Sequence, residues 1–370
     1  MAHALRLAAR GLGRAWPNPA VGCVILRDGR VIGRGHTQPG GRPHAERMAL
    51  DQARELMAGL AEDPPKDLLR GATAYVTLEP CAHHGRTPPC AEALVAAGLA
   101  RVVTALTDPD PRVAGQGHAI LRAAGIEVTE GVLADEARRA NAGFLKRVTR
   151  GLPLVTLKLA TTLDGRIATA AGESRWITSP LSRRHVHAQR LAHDAVLVGA
   201  GTARADDPDL TVRDIGAPAQ PVRIVIDSRL SHSPDSRLGQ SAARAPVWLV
   251  HGPAAPADAR AAWQARGARL LPCPLDGAGR IDLPQAFRTL AAEGLTRIFC
   301  EGGGSLAAEL IRQGLVDDLA LYGAGRLIGA DGIPALGALG LETLAAAPHL
   351  SLRETRSLGP DIFSLWSLTP

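Results

Sequence analysis

His44 and Glu46 stand two positions apart, and Cys81 and Cys90 follow later in the chain. A catalytic zinc takes three protein ligands of imidazole or thiolate type and keeps a fourth position open for water. His44, Cys81 and Cys90 fill that count. Glu46 is near enough to serve the water's proton yet free not to ligate the metal, the place of a general acid and base. The chemistry this predicts is metal-assisted hydrolysis. Two plainer readings compete. One makes His44 a surface histidine and the two cysteines core thiols. The other closes a structural zinc with His83 or His84, which leaves the placing of Glu46 without a reason.

A second set of residues lies farther on. Lys158 belongs to a strand-like run that enters a loop, where a substrate contact and a salt-bridged strand lysine are equally open readings. Glu301-Gly302-Gly303-Gly304-Ser305 follows a buried-strand pattern and leads into a helix, and backbone N–H groups at such a bend can cradle a diphosphate. A tight structural turn would give the same letters, and the G-x-G-x-x-A fit at 302–307 comes late for a first βαβ unit. Asn18 lies in a rigid turn between Pro17 and Pro19, from which its amide can meet the edge of a heterocycle; alone it reads as a turn residue.

Those residues need elements to hold them. Hydrophobic periodicity predicts helices over 2–10, 44–60, 90–97, 117–124 and 134–148, and strands over 21–26, 31–35, 72–78, 101–105 and 126–129. Asp28-Gly29 reads as the hairpin turn between the first two strands. His44 and Cys90 therefore start helices, whose unpaired N–H groups favour thiolates and metal binding. Alternating strands and helices make a layered α/β domain with a partly parallel sheet. Arg150-Gly151-Leu152-Pro153 breaks the pattern, so domains are expected at 1–150 and 151–370. The second repeats the alternation, with strands over 154–160, 195–198, 222–227, 247–250, 297–300 and 319–322 and helices over 182–192, 257–266, 284–293 and 306–313. The stretches 214–220 and 228–245 read as surface loops.

Composition narrows the class. At 370 residues the chain exceeds what one core usually serves. Its 42 Lys and Arg are scattered among 36 Asp and Glu, for a net charge of +6, and aromatic residues make up 3%. That gives neither a basic block nor a base-stacking platform for nucleic acid. Five cysteines, an odd number, argue against a disulfide framework. No apolar run nears the roughly 20 residues of a membrane helix, and the start lacks a signal-peptide core, so a cytoplasmic protein is expected.

Zinc-dependent nucleobase deaminases carry H-x-E and later P-C-x-x-C, with the Glu moving protons. Here Cys90 comes nine positions after Cys81, a longer loop. With P-N-P-A-V-G-C-V-I at 17–25, P-H-A-E at 43–46 and T-L-E-P-C-A-H-H-G-R-T-P-P-C at 77–90, the chain resembles the bifunctional riboflavin biosynthesis deaminase-reductase family. The resemblance continues in D-P-D-P at 108–111 and G-F-L-K-R at 143–147. In the second half it runs through L-K-L-A-T-T-L-D-G-R at 157–166, G-E-S-R-W-I-T-S at 172–179, A-D-D-P at 205–208, L-T-V-R at 210–213, I-D-S at 226–228 and E-G-G-G at 301–304.

The resemblance implies a cytidine-deaminase-like, three-layer α/β/α first domain and a dihydrofolate-reductase-like α/β second domain. It implies zinc-dependent hydrolytic deamination of diaminohydroxyphosphoribosylaminopyrimidine, then NADPH-dependent reduction of the ribosyl group to ribityl. Implied NADPH contacts are Ala160, Trp176, Thr202, Asp206 and Ser228, with the backbone at Gly303, Gly304 and Ser305. Implied substrate contacts in the same half are Ser174, Arg190, Leu210, Arg213 and Glu301, beside the candidate Lys158. In the first half the loops around Asn18 and 83–86 would complete the pyrimidine pocket. The partner is then a small pyrimidine ribose phosphate, with no nucleic acid and no membrane, and a homo-oligomer is expected. A rival reading, a nucleic-acid base deaminase with a non-catalytic second domain, fits the basic balance but neither the scarce aromatics nor the long cysteine loop. Neither the reductase's general acid nor the group that selects NADPH over NADH can be read from the letters.

Overall fold

Small residues decide where the first unit's helices land. The computed structural model describes residues 1–59, 69–84, 88–111, 113–217 and 219–368, which fall into two units, Met1–Gly151 and Leu152–Pro370. The first unit opens with α1 (Ala2–Ala8), then the hairpin β1 (Gly22–Arg27) and β2 (Arg30–His36), turned by the left-handed pair Asp28-Gly29. α2 (Ala45–Ala58) lies on this hairpin. Its Ala45, Ala49 and Ala53, four apart and fully buried, let the helix approach closely. A Cβ on Gly35 would stand 2.1 Å from the Ala45 carbonyl oxygen. The start of α2 is thereby pressed onto β2.

The unit continues with β3 (Thr73–Val76), α3 (Cys90–Ala96), β4 (Arg101–Thr104), α4 (Gln116–Ala123), β5 (Glu127–Thr129), α5 (Ala134–Ala140) and α6 (Ala142–Arg150). Sheet order is β2-β1-β3-β4-β5, with β1 antiparallel to both neighbours and β3, β4 and β5 parallel. The mixed α/β sheet agrees with the expectation. Two details differ from it. The helix foreseen over 134–148 is broken at Asn141 (φ −100°, ψ 13°), a residue type that competes with the helical backbone. The far end of the helix foreseen over 44–60, Leu60, lies outside the described residues, as does Arg86.

The second unit holds β6 (Leu154–Thr162), β7 (Arg166–Ala168), α7 (Pro180–Leu191), β8 (Ala195–Gly199), α8 (Ala200–Asp206), β9 (Val222–Ile226), α9 (Arg237–Gln240), β10 (Val247–His251), α10 (Ala257–Ala265), β11 (Arg269–Pro272), α11 (Leu283–Ala292), β12 (Arg297–Gly302), α12 (Gly304–Arg312), β13 (Asp318–Ala324), β14 (Ile333–Pro334), β15 (Leu350–Leu358) and β16 (Asp361–Leu368). A nine-stranded sheet runs β11-β10-β9-β8-β12-β6-β13-β16-β15. Its first seven strands are parallel; β16 and β15 are antiparallel additions. Continuous apolar runs such as Ala195–Val198 and Val222–Ile226 are what strands covered on both faces require.

The tract 228–245 is not a plain surface loop. Leu230, Leu238 and Ala242 are buried with Val196, Val225 and Trp263 in one cluster, and α9 starts at Ser236, whose hydroxyl accepts the Gly239 N–H. Apolar residues spaced irregularly among Ser, Asp and Arg hide this contribution from any periodicity test. Trp263 is fully buried and its indole N–H donates to the His232 carbonyl at 3.2 Å. Truncating such a side chain typically costs about 3–5 kcal/mol. No helix among the described residues is long and apolar enough to cross a membrane.

Candidate active sites

In the first unit, three side chains from separate segments meet. His44 immediately precedes α2, its carbonyl accepting the Met48 N–H. Cys81 lies beyond β3, and Cys90 is the first residue of α3. Their ligand atoms lie within 4.8 Å of one another. His44 Nδ1 is 3.3 Å from Cys90 Sγ and 3.7 Å from Cys81 Sγ. A tetrahedral zinc with ordinary Zn–N and Zn–S lengths sets N···S edges of about 3.6 Å. The donor set therefore fits zinc in both chemistry and spacing. Neither His83 nor His84 belongs to the cluster; His84 pairs with Glu92 at 3.1 Å. Among the described residues no fourth side chain joins the cluster, which matches the three-ligand count of a catalytic zinc.

The electrostatics point the same way. Hydrogen bonds from the Cys90 side chain and from His44, with the Cys90 backbone N–H at 3.2 Å, bring the Cys81 thiol down to about 4. Cys90 is pushed well up, chiefly by its bond to Cys81 and by burial. The Cys81 hydrogen bond raises His44. One thiolate, one thiol and an imidazole thus share protons that a divalent cation displaces on binding. Glu46, 4% exposed in the first turn of α2, stands outside the ligand set; burial and then the Cys81 charge raise its carboxyl to about 7.

One residue that sequence reasoning passed over, except as a letter in a run, holds this cup in place. Glu79, two positions before Cys81, has a sealed carboxylate that accepts four backbone N–H bonds, from Asp108 and Gly115 on Oε2 and from Gly117 and His118 on Oε1, at 2.9–3.2 Å. It fastens the Cys81 segment to the loop entering α4. A lone acid at the end of an apolar strand was its only signal. On that loop Asp108 is 7% exposed, and burial raises its carboxyl to about 6. The half-buried His83 is near enough to act on Asp108, and among the described residues its Nδ1 has no hydrogen-bond partner. Asn18 uses its Nδ2 to bind the Gly41 carbonyl at 3.0 Å, tying its turn to the segment that leads into His44.

In the second unit the candidate residues gather at the carboxyl ends of β6 and β12. Arg190 of α7 forks onto Glu301 of β12, with Nη2 2.9 Å from Oε2, and gives Nη1 to the Thr211 carbonyl at 2.7 Å. Burial pushes Glu301 upward, but the charge and hydrogen bonds of Arg190, with Lys158, hold it below the ordinary carboxylate range. Burial lowers Lys158, against the pull of Glu301 and Asp206. The structure thus brings Lys158, Arg190, Asp206 and Glu301 together. Leu210 is buried in a left-handed conformation. Arg213 bonds Asp209 and Thr211 at 3.3 Å, and its backbone N–H reaches His187 Nδ1 at 3.2 Å. His187, unremarked in the sequence, sits beside Arg190, Arg213 and Glu301.

Facing this group is the α12 start. Gly303 (φ +92°) would carry a Cβ only 2.8 Å from Thr202 Oγ1, so the bend requires glycine, with Gly304 and Ser305 opening the helix. Ala160 is half-buried beside Tyr322, its partner across the sheet. Trp176 is 61% exposed under the Arg183 guanidinium, 4.5 Å from its ring centre. Ser174 is half-buried in the same turn. Ser228 lies one strand farther out, its carbonyl accepting the Gly252 N–H.

Comparison with known proteins finds relatives of both units. The family model described as the cytidine and deoxycytidylate deaminase zinc-binding region matches residues 1–106, and the RibD C-terminal domain model matches 153–364. The riboflavin biosynthesis protein RibD of Escherichia coli K12 is 44% identical, over 98% of this chain and 96% of that protein. A structure of Acinetobacter baumannii RibD is 38% identical, with a TM-score of 0.86 over 100% of this chain and 98% of that one. A Thermotoga maritima structure, described as a diaminohydroxyphosphoribosylaminopyrimidine deaminase/5-amino-6-(5-phosphoribosylamino)uracil reductase, is 34% identical, with a TM-score of 0.84 over 100% and 97%. The class is therefore a zinc-binding deaminase unit followed by a reductase unit. Within it, the chain belongs to the RibD family of riboflavin biosynthesis proteins.

Proposed function

We propose that the first unit deaminates diaminohydroxyphosphoribosylaminopyrimidine and that the second reduces the ribosyl group of the product to ribityl with NADPH. The observation that carries this reading is the three-ligand cluster with an unligated, buried Glu46 beside it. His44, Cys81 and Cys90 would hold the zinc, which when bound would supply the Lewis acidity that activates water near neutrality. Glu46 carries the first proton of the attacking water to the ring nitrogen, then carries the proton of the new hydroxyl group to the amine, which departs as ammonia as the carbonyl forms. Glu79 keeps the Cys81 segment in register for this, and Asn18 and His83 border the pyrimidine.

In the second unit NADPH, when bound, would supply the hydride for the anomeric carbon, whose bond to the ring oxygen breaks as that oxygen takes a proton. Thr202 and the α12 start receive its diphosphate, Ala160, Trp176 and Ser228 line its course, and Asp206 meets it beside Lys158. Arg213 takes the substrate phosphate as the exposed guanidinium of the group. Arg190 acts mainly through Glu301 and the 209–213 loop, and Glu301, Ser174 and the Leu210 backbone orient the sugar. The domains are read as 1–150 and 151–370. The chain acts on a small molecule in the cytoplasm, without nucleic acid, and assembles as a homo-oligomer. The sparsely covered edge strand β15 and the exposed Leu352 and Ile362 support that assembly. As a test, full-length protein given the pyrimidine ribose phosphate releases ammonia and then oxidises NADPH, and a zinc chelator stops ammonia release. Turnover of a single-stranded nucleic acid in place of the small substrate would contradict the reading.

A further inference from the structure

The parallel strands of the second unit reverse their order of addition at β8 and β12: β9, β10 and β11 extend outward on one side, and β6 and β13 lie on the other. Ligands of open α/β sheets lie in the crevice at the carboxyl ends of the strands where this happens. The α12 start and Thr202 occupy that crevice here. β9 pairs with β8 so that Gly199 lies opposite Ile226. The turn after β9 is therefore where the adenosine ribose of a dinucleotide comes to rest.

In dinucleotide sites an acid at this place takes the ribose 2′-hydroxyl of NAD, and an arginine nearby takes the 2′-phosphate of NADP. Asp227 occupies the acid's place but is turned into the protein, 3% exposed. Its Oδ1 accepts from the Arg229 N–H at 3.3 Å and Ser231 Oγ at 3.1 Å, and its Oδ2 from the His232 N–H at 2.8 Å and Ser231 Oγ at 3.2 Å. The carboxylate builds the turn and has little capacity left for a ribose. What the turn shows to solvent is Ser228, Arg229 and Ser231, and Arg204 of α8 reaches over to Ser231 Oγ at 2.5 Å. Among the described residues, neither guanidinium has a carboxylate within ion-pair distance.

We propose that Arg204 and Arg229 hold the 2′-phosphate of NADPH and are the residues that select it over NADH. The proposal rests on reading the second unit as an NADPH-dependent reductase, and it names a determinant that reading leaves open. Two guanidinium groups without an ion-pair partner among the described residues, with the Ser228 hydroxyl beside them, suit a phosphate dianion. NADH forfeits those bonds and finds no free carboxylate in exchange, so discrimination comes from both sides.

Calorimetry on the full chain tests this with NADPH, NADH and adenosine 2′,5′-bisphosphate as probes. Arg204→Ala and Arg229→Ala each weaken NADPH and the bisphosphate by roughly 10- to 100-fold, the usual worth of a charged hydrogen bond. The double variant loses the preference for NADPH, NADH affinity stays where it was, and Arg204→Lys recovers part of the loss. A double variant that keeps the preference overturns the proposal, as does a parallel fall in NADH affinity, which marks a distorted turn. Wild-type protein that binds NADPH no more tightly than NADH overturns the cofactor reading itself, and this proposal with it.

Discussion

Glu46 in the first unit and Glu301 in the second are both withdrawn from solvent, yet their surroundings differ. Glu46 sits beside a thiolate and outside the ligand set, and burial lifts its carboxyl to about 7. Glu301 is gripped by the Arg190 fork and faces Lys158, which together keep it ionised despite burial. Burial and a neighbouring thiolate raise the one carboxyl, and two adjacent cations hold the other down. The two carboxyl groups are thereby shifted in opposite directions by their surroundings.

The contrast can be broken by removing charge without changing shape. Glu301→Gln leaves the Arg190 and Lys158 cations in a largely buried group without their counter-charge, and breaking a buried pair in this way costs about 3–5 kcal/mol. Chemical denaturation should show that loss together with a collapse of NADPH oxidation. A variant as stable as the parent would mean that the pair is better hydrated than the structure shows. Glu46→Gln removes a costly buried ionisable group and should leave stability close to that of the parent in the same measurement.

A smaller effect sharpens the picture of the second unit. His193 follows α7 and donates Nδ1–H to the Gln189 carbonyl at 2.7 Å, while Nε2 accepts from the Thr156 hydroxyl at 3.0 Å. Burial, with the Arg297 charge, lowers it to about 3. The unfolded chain takes up this proton near pH 6.5 and the folded one does not, so stability is full above pH 6.5 and falls as pH drops toward 3. The slope from this one group approaches about 1.4 kcal/mol per pH unit. His193→Gln should flatten the stability profile between pH 6 and 4, and an unchanged slope there would place the acid lability elsewhere.

The same contrast explains what the letters disclosed. His44, Glu46, Cys81 and Cys90 are legible because short local runs carry them and because zinc chemistry constrains ligand type and count. The Arg190 and Glu301 partnership joins residues 111 positions apart and exists only through the fold. The β15 and β16 hairpin escaped periodicity because β15 is open to solvent along most of its length and lacks the alternation of a half-buried strand. Asp227 was read as part of a matching I-D-S run. Only the structure shows its carboxylate turned inward, which leaves the exposed arginines beside it as the charged groups at that turn.

The proposed deamination requires zinc on His44, Cys81 and Cys90 and proton transfer through Glu46. Zinc content and ammonia release, compared between the parent chain and Glu46→Gln, put both requirements to the test. One zinc per chain is expected in both, with ammonia release lower by roughly 100- to 10,000-fold in the variant. A variant that loses its zinc with its activity would make Glu46 a ligand, and one that keeps full ammonia release would show that the proton travels by another route.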